Sequence, residues 1–422
     1  MMRQSRRDVL RAALMLAGAL GARASRAAER PGVVVVGGGF GGATAAKYIR
    51  KWSGGALPVT LVERESAFVS CPLSNLVLGG TKEIADLTLT YDGLERWGVR
   101  RVRGDATGLD PDARKLTLAG GEVLAYERLI LAPGMDFELE AIPALRDPAA
   151  REKVPHAWKA GPQTVALRRQ LEAMPDGGVF AMHIPLAPYR CPPAPYERAC
   201  LVAEYFTQRK QRSKVIVLDA NEDVQAEKAL FFAAWNGPYK GYVEYRPNSG
   251  LVDVDVAALT AKLDFEDVKA DVLNVIPPQR AGDIARRSGM ANANARFCEV
   301  DFLTYESTAQ RRVHILGDAI QPASLMPRSA QMANQQAKTC AAAIVALLTA
   351  GDVNQAPVLT SACYSWLSHR EAAHVASVHR YDPATKTMTV VPGSSGASRE
   401  ASGAEAVYAQ AWAENLWADT LG

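Results

Sequence analysis

Several chemistries are missing from this chain. No two of its cysteines stand at C-x-x-C spacing, so neither a dithiol of the thioredoxin kind nor a paired-cysteine zinc site is encoded. C-x-x-C-H is absent too, so the chain attaches no c-type haem of its own. Neither G-x-S-x-G nor a P-loop occurs. His369, His374 and His379 recur every five residues. On a helix that spacing turns them about 140° apart, which excludes a shared metal. No stretch reaches about 18 uninterrupted apolar residues, so no integral membrane anchor is expected. Charge of one sign is also scarce. The formal +3 comes from residues 1–28, where six arginines accompany one acid. The remainder is slightly negative, and no nucleic-acid partner follows.

The arginine-rich start reads as an address. Paired arginines in Ser5-Arg-Arg-Asp-Val-Leu10 precede the apolar run Ala12–Ala22 and small residues up to Ala28. This is the pattern of a twin-arginine signal peptide over 1–28, with a mature chain starting near Glu29 in a bacterial periplasm. That route exports folded proteins, which suits a chain that must first acquire a cofactor. Six cysteines in an oxidising compartment permit disulfides.

At 48% hydrophobic and 22% charged, the 422 residues suit two or three globular domains. The β-branched run Gly32-Val-Val-Val-Val36 predicts a buried parallel strand. It leads into Gly37-Gly-Gly39-Phe-Gly-Gly42 and a helix over Ala43–Lys51. Glycines at 37, 39 and 42 allow a tight turn, close backbone approach and close helix packing, with a pyrophosphate at the helix N-terminus. A second strand, Pro58–Val62, ends at Glu63, placed for a ribose 2′-OH. Two later segments favour FAD over NAD: the strand and turn Tyr126–Gly134, carrying Ala132 and Gly134, and Val313-His-Ile-Leu-Gly-Asp318 ahead of a helix over Ser329–Leu348. The flavin domain is therefore discontinuous, 29–145 plus 285–350.

Residues 146–284 carry a second strand–loop–helix–strand frame, in which the loop after Gly178–Pro185 should be glycine-rich. It reads Pro188-Tyr-Arg-Cys191-Pro-Pro-Ala-Pro-Tyr-Glu197 instead, with four prolines and no glycine. Proline fixes φ and removes N–H donors, so no phosphate cradle forms there. The loop presents a thiol, Cys191, and a carboxylate, Glu197, near the start of a helix whose dipole would favour the ionised form. Cys191 either reacts or closes a structural disulfide. A bond to the distant Cys363 would staple residues 351–422 to this domain and stabilise by a few kcal/mol. Cys200, on the same helix as Glu197, is a competing partner. Cys340 and Cys298 read as packing thiols, the latter opening a strand. Cys71, beyond the ribose strand, lies where a thiol can reach the dimethylbenzene edge of a flavin. Trp412 and Trp417 belong to a C-terminal packing or interface stretch.

These residues resemble the flavin-binding subunit of flavocytochrome c sulfide dehydrogenase. The markers are Ser70-Cys71-Pro-Leu-Ser-Asn75, Tyr189–Glu197, Leu316-Gly-Asp318-Ala and Ala362-Cys363-Tyr-Ser. The resemblance implies an α/β fold: two Rossmann-like domains of the FAD-dependent disulfide oxidoreductase type, plus a C-terminal domain, 351–422, that meets a cytochrome. It also implies an 8α-S-cysteinyl link from Cys71 to FAD, a Cys191–Cys363 redox disulfide, proton handling by Glu197, and a ribityl contact from Asp318. Hydrosulfide would open the disulfide and leave a persulfide. Electrons would pass through the flavin to haem on a separate c-type cytochrome subunit. Pro72, beside the attachment position, departs from expectation, and Cys200 is an extra thiol. Rival readings are a sulfide:quinone reductase, which needs an exposed apolar patch near the C-terminus, an NAD(P)H-dependent disulfide reductase using Asp219, and a flavin-bearing assembly subunit without turnover.

Overall fold

The computed structural model describes residues 32–422, so the twin-arginine segment lies outside the described residues. The first sheet has five parallel strands, ordered Val313–Ile315, Arg128–Leu131, Val33–Val36, Val59–Glu63, Arg100–Arg103. All four valines of Val33–Val36 are buried, as expected of a central strand covered on both faces. The helices Phe40–Trp52 and Ala330–Thr349 pack against each other beside this sheet. A three-stranded antiparallel sheet, Ala106–Asp110, Lys115–Leu118 and Val123–Ala125, adds Leu116, Leu118 and Leu124 to the same core.

The chain leaves through Met135–Phe137 and returns through Gln279–Ala281, which pair antiparallel. Between these crossings lies a second parallel sheet, ordered Val243–Arg246, Lys214–Asp219, Val179–Ile184, Val272–Val275. The fold is therefore α/β with two Rossmann-like sheets. The helix after Val179–Ile184 runs Ala194–Arg209 and carries Glu197 in its first turn.

The C-terminal part is a long hairpin, Val358–Trp366 with Ala372–Asp382, extended by Thr387–Val390. Here two expectations are corrected. His369 lies in the hairpin turn, and His374 and His379 lie on a strand, so helical rotation does not describe their spacing. The β-branched Val375 and Val378 suit the extended form. No cluster of metal-binding side chains occurs among the described residues. Cys298 makes only an isolated bridge to Ile320, not a strand.

Helix Gly403–Leu421 is capped by Ser402, whose hydroxyl accepts from Glu405 N at 3.2 Å. It docks inward. Ala409, Ala413, Leu416, Trp417 and Leu421 are buried at helical spacing. Lys47 Nζ donates to the carbonyls of Ala418 and Asp419 at 3.0 Å each, a cation at a helix C-terminus. Trp417 Nε1 donates to Ser70 Oγ at 2.9 Å.

Trp417→Ala is expected to cost roughly 3–5 kcal/mol in chemical denaturation, by cavity creation and loss of this bond. Tyr408→Ala, on the exposed face of the same helix, should change stability by less than about 0.5 kcal/mol.

Candidate functional site

The glycine turn is built for a dinucleotide. Gly37 sits at φ +98°, and a Cβ there would lie 2.3 Å from Ala132 O. A Cβ on Gly42 would lie 1.9 Å from Gly37 O. A Cβ on Gly39 would meet nothing within 4 Å, which leaves open space over the helix start. Helix Phe40–Trp52 has no capping side chain and no acid in its first turn, so its N–H groups remain available to an anion. Glu63 lies beside this turn and accepts from Gly38 N at 2.5 Å. Gly134, at φ +68°, turns the chain after Ala132. Asp318 lies in the tight turn Gly317–Ala319, 3.7 Å from the Arg190 guanidinium. These residues fit a flavin dinucleotide: diphosphate at Gly39, ribose at Glu63, ribityl chain at Asp318.

Cys71 is partly accessible and closes a turn in which Ser74 N donates to Cys71 O at 3.0 Å. Leu73, in the third position, has φ 70° and ψ −1°, values of a type II turn. Proline suits the second position of that turn, which accounts for Pro72. Arg190, unremarked in the sequence, is half-buried with Cys71, Asp318 and Cys191 as its electrostatic neighbours. Its only signal was position, as the single charge in the proline loop ahead of Glu197.

Cys191 adopts a left-handed conformation, φ 54°. Its N–H donates to Arg328 O at 3.0 Å and its carbonyl accepts from Ala194 N at 3.0 Å. The thiol is therefore fixed from both sides of the site. Cys363 is its electrostatic neighbour. Burial pushes the Cys191 thiol well above its usual pKa, with Cys363 and Glu197 adding to the rise. Burial pushes Cys363 up to about 11, while hydrogen bonds with Ser329 and Ser361 restrain it. All six cysteines are free in this structure, and Cys191 and Cys363 are both half-buried. Cys200 is fully buried and packs in the core beneath the second sheet. Cys298 and Cys340 are buried core thiols.

Glu197 corrects the helix-dipole expectation. It is buried, and burial raises its pKa to about 7, outweighing the helix terminus and every hydrogen bond it accepts. Asn75 Nδ2 donates to its Oε2 at 2.9 Å, and Trp366 N to its Oε1 at 3.3 Å. Asn75 Oδ1 in turn accepts from Arg198 Nε at 3.1 Å. Arg198 is buried and also donates to Asn274 Oδ1 at 2.7 Å and Ala157 O at 2.7 Å. Burial lowers its pKa to about 9.

The acid at the end of the second strand of the second sheet is bonded within the protein. Asp219 is fully buried and accepts from Tyr196 OH at 2.7 Å, Tyr245 OH at 3.1 Å, and Asn221 Nδ2 at 2.7 Å. Its carboxylate is committed inside the protein. A cavity of about 470 Å³ opens instead beside the thiol loop, between Pro188, Tyr189, Pro192 and the segment Gln321–Met326.

Because the Asn75 bond holds the Glu197 pKa down, Asn75→Ala should move it above 7. Infrared titration of the buried carboxyl band checks this; an unmoved or lowered value would count against the geometry.

Comparison with known proteins gives three family models along the chain. Residues 31–171 match pyridine nucleotide-disulphide oxidoreductase. Residues 164–277 match the central part of the sulfide dehydrogenase [flavocytochrome c] flavoprotein chain, and 355–421 the flavin-binding part of flavocytochrome c sulphide dehydrogenase. The flavoprotein chain of that enzyme from Chlorobaculum thiosulfatiphilum is 64% identical over 45 residues, 11% of this chain and 92% of that one. Mitochondrial sulfide:quinone oxidoreductase of Mus musculus is 25% identical over 303 residues, 68% of this chain. The chain spans 65% of that relative's length and 64% of the Dictyostelium discoideum counterpart's. Among solved structures, sulfide:quinone oxidoreductase of Aquifex aeolicus shares the fold, with TM-score 0.75 and 17% identity over 92% of this chain and 91% of that one. Two models of one family follow each other along the chain, and between them they hold Cys191, Glu197 and Cys363. Over these two stretches the chain matches the flavoprotein of flavocytochrome c sulfide dehydrogenase.

Proposed function

We propose that this chain oxidises sulfide through the Cys191–Cys363 pair and passes the electrons, through FAD, to a c-type cytochrome subunit in the periplasm. One observation carries the reading. Where the second sheet would bind a nicotinamide, its loop presents the Cys191 thiol and a buried carboxyl, with Cys363 of the C-terminal hairpin as the neighbouring thiol, and its ribose-type acid is bonded internally.

In this reading the pair works as a disulfide. Hydrosulfide attacks the Cys191 sulfur, the S–S bond breaks, and Cys191 carries the persulfide. Backbone bonds at Arg328 and Ala194 keep Cys191 aimed. Glu197, with a pKa near 7, exchanges protons at working pH. The cavity of about 470 Å³ gives a growing sulfur chain room beside the thiol loop. When bound, FAD supplies two-electron acceptance and single-electron release; Gly39, Glu63 and Asp318 would hold it and Cys71 would anchor it.

The 25% identity to a sulfide:quinone oxidoreductase keeps a quinone acceptor as the second reading. The C-terminal helix favours the cytochrome, because Leu416, Trp417 and Leu421 turn inward and leave only Val407 and Tyr408 as exposed large apolar residues on it. No described helix is long and apolar enough to cross a membrane. Salt-sensitive reduction of a c-type cytochrome supports the first reading, whereas detergent- and quinone-dependent turnover would replace it.

Cys191→Ser should lower sulfide-driven flavin reduction by at least about a hundredfold with the fold intact, and NADH should not reduce the wild type in stopped flow. Turnover should rise as pH increases through about 7, as Glu197 ionises; Glu197→Gln should remove that limb. After denaturation, flavin fluorescence should stay with the polypeptide and be lost in Cys71→Ser.

A further inference from the structure

Cys363 has a carboxyl of its own. Glu227 caps the start of helix Lys228–Asn236 in a left-handed conformation, φ 52° and ψ 32°, yet its side chain makes no capping bond. It turns instead toward the hairpin, where it accepts from Ser365 Oγ at 2.5 Å. Ser365 is fully buried and lies two residues after Cys363 on strand Val358–Trp366, hence on the same face. The other carboxyl oxygen, Oε1, is buried with no hydrogen-bond partner among the described residues. An acid whose cap geometry is unused, and which keeps one bare buried oxygen while bonded to the hairpin face that carries Cys363, needs a reason.

The electrostatics divide the two carboxyls between the two thiols. Glu197 acts on Cys191, and Glu227 does not figure there. On Cys363, Glu227 acts more strongly than Glu197. Glu197 also faces Glu227, as do two groups from other elements: His374, from strand Ala372–Asp382, and Glu405, from the C-terminal helix. Those two bond each other at 2.9 Å, and His374 pairs with Tyr364, so both belong to the opposite face of the hairpin. Lys228, the next residue, is taken by Asp223. Burial raises Glu227 to a pKa of about 7, so at neutral pH the carboxyl is available both with and without its proton.

We propose that Glu227 is the proton donor to the Cys363 sulfur when hydrosulfide opens the Cys191–Cys363 disulfide. The inference rests on the disulfide reading above. The step balances: HS⁻ forms a bond to the Cys191 sulfur, the S–S bond breaks, and its electron pair goes to Cys363. The Glu227 proton then passes to that sulfur, leaving a Cys191 persulfide, a Cys363 thiol and a Glu227 carboxylate. A leaving thiol whose pKa lies near 11 departs poorly as a bare thiolate, so a nearby acid speeds the cleavage. Glu227 touches Ser365 rather than the substrate; it acts through Cys363.

The test uses the full holoprotein, oxidised, without oxygen, at fixed hydrosulfide concentration. Newly freed Cys363 is alkylated and counted by mass spectrometry across pH. Wild-type opening should slow as pH rises through about 7. Glu227→Gln should open about tenfold more slowly at pH 6 and lose that descending limb. Ser365→Ala keeps the carboxyl but removes the bond that lowers its pKa, so the limb should move to higher pH, a shift that a purely structural role would not give. In the separately reduced protein, Glu227→Gln should also move alkylation of Cys363 to lower pH. If the wild type opens and both variants follow its pH profile, Glu227 is not the donor. If the wild type never opens with hydrosulfide, while the alkylation profile still moves in Glu227→Gln, the sulfide reading falls and the donor role with it, leaving only the Glu227–Cys363 coupling.

Discussion

The hydrogen bond from Asn75 to Glu197 holds the site together. Asn75 belongs to the short helix after Cys71, Glu197 to the helix after the proline loop, and the third partner, Trp366 N, to the C-terminal hairpin. Three segments distant in sequence meet on one buried carboxyl. Position the carboxyl wrongly and the flavin-side thiol, the loop thiol and the hairpin thiol lose their common reference.

That carboxyl lives in an environment that opposes its charge. Burial dominates its pKa and those of Cys191, Cys363 and Glu227, and the balancing cation, Arg198, is itself buried and partly disfavoured as an ion. Such a cluster stabilises the fold weakly, since desolvation consumes much of the Coulombic gain. It suits chemistry better, because groups left near neutrality exchange protons readily.

Much of this was legible in the residues. A run of valines followed by spaced glycines can hardly fold otherwise than as strand, turn and helix, and a proline loop in place of a glycine one marked Cys191 and Glu197. What escaped was anything that depends on distant partners. Nothing local announces that Asn75, Arg198 and Asn274 form one chain of bonds. Arg190 was hidden beside a more conspicuous cysteine, and Glu227 looked like an ordinary acid before a helix. The dipole argument at Glu197 went wrong because it weighed a local field without the desolvation that only packing reveals. The hairpin histidines misled for a related reason: a spacing of five has meaning only once helix or strand is known.

The saturation of Asp219 has a consequence of another kind. With Tyr196, Tyr245 and Asn221 bonded to it, the acid that a nicotinamide ribose would need in the second sheet is already occupied. A flavoprotein with a working dinucleotide pocket there could be driven backwards or short-circuited by cellular reductant. Three ordinary side chains occupy the acid on which such a pocket would depend.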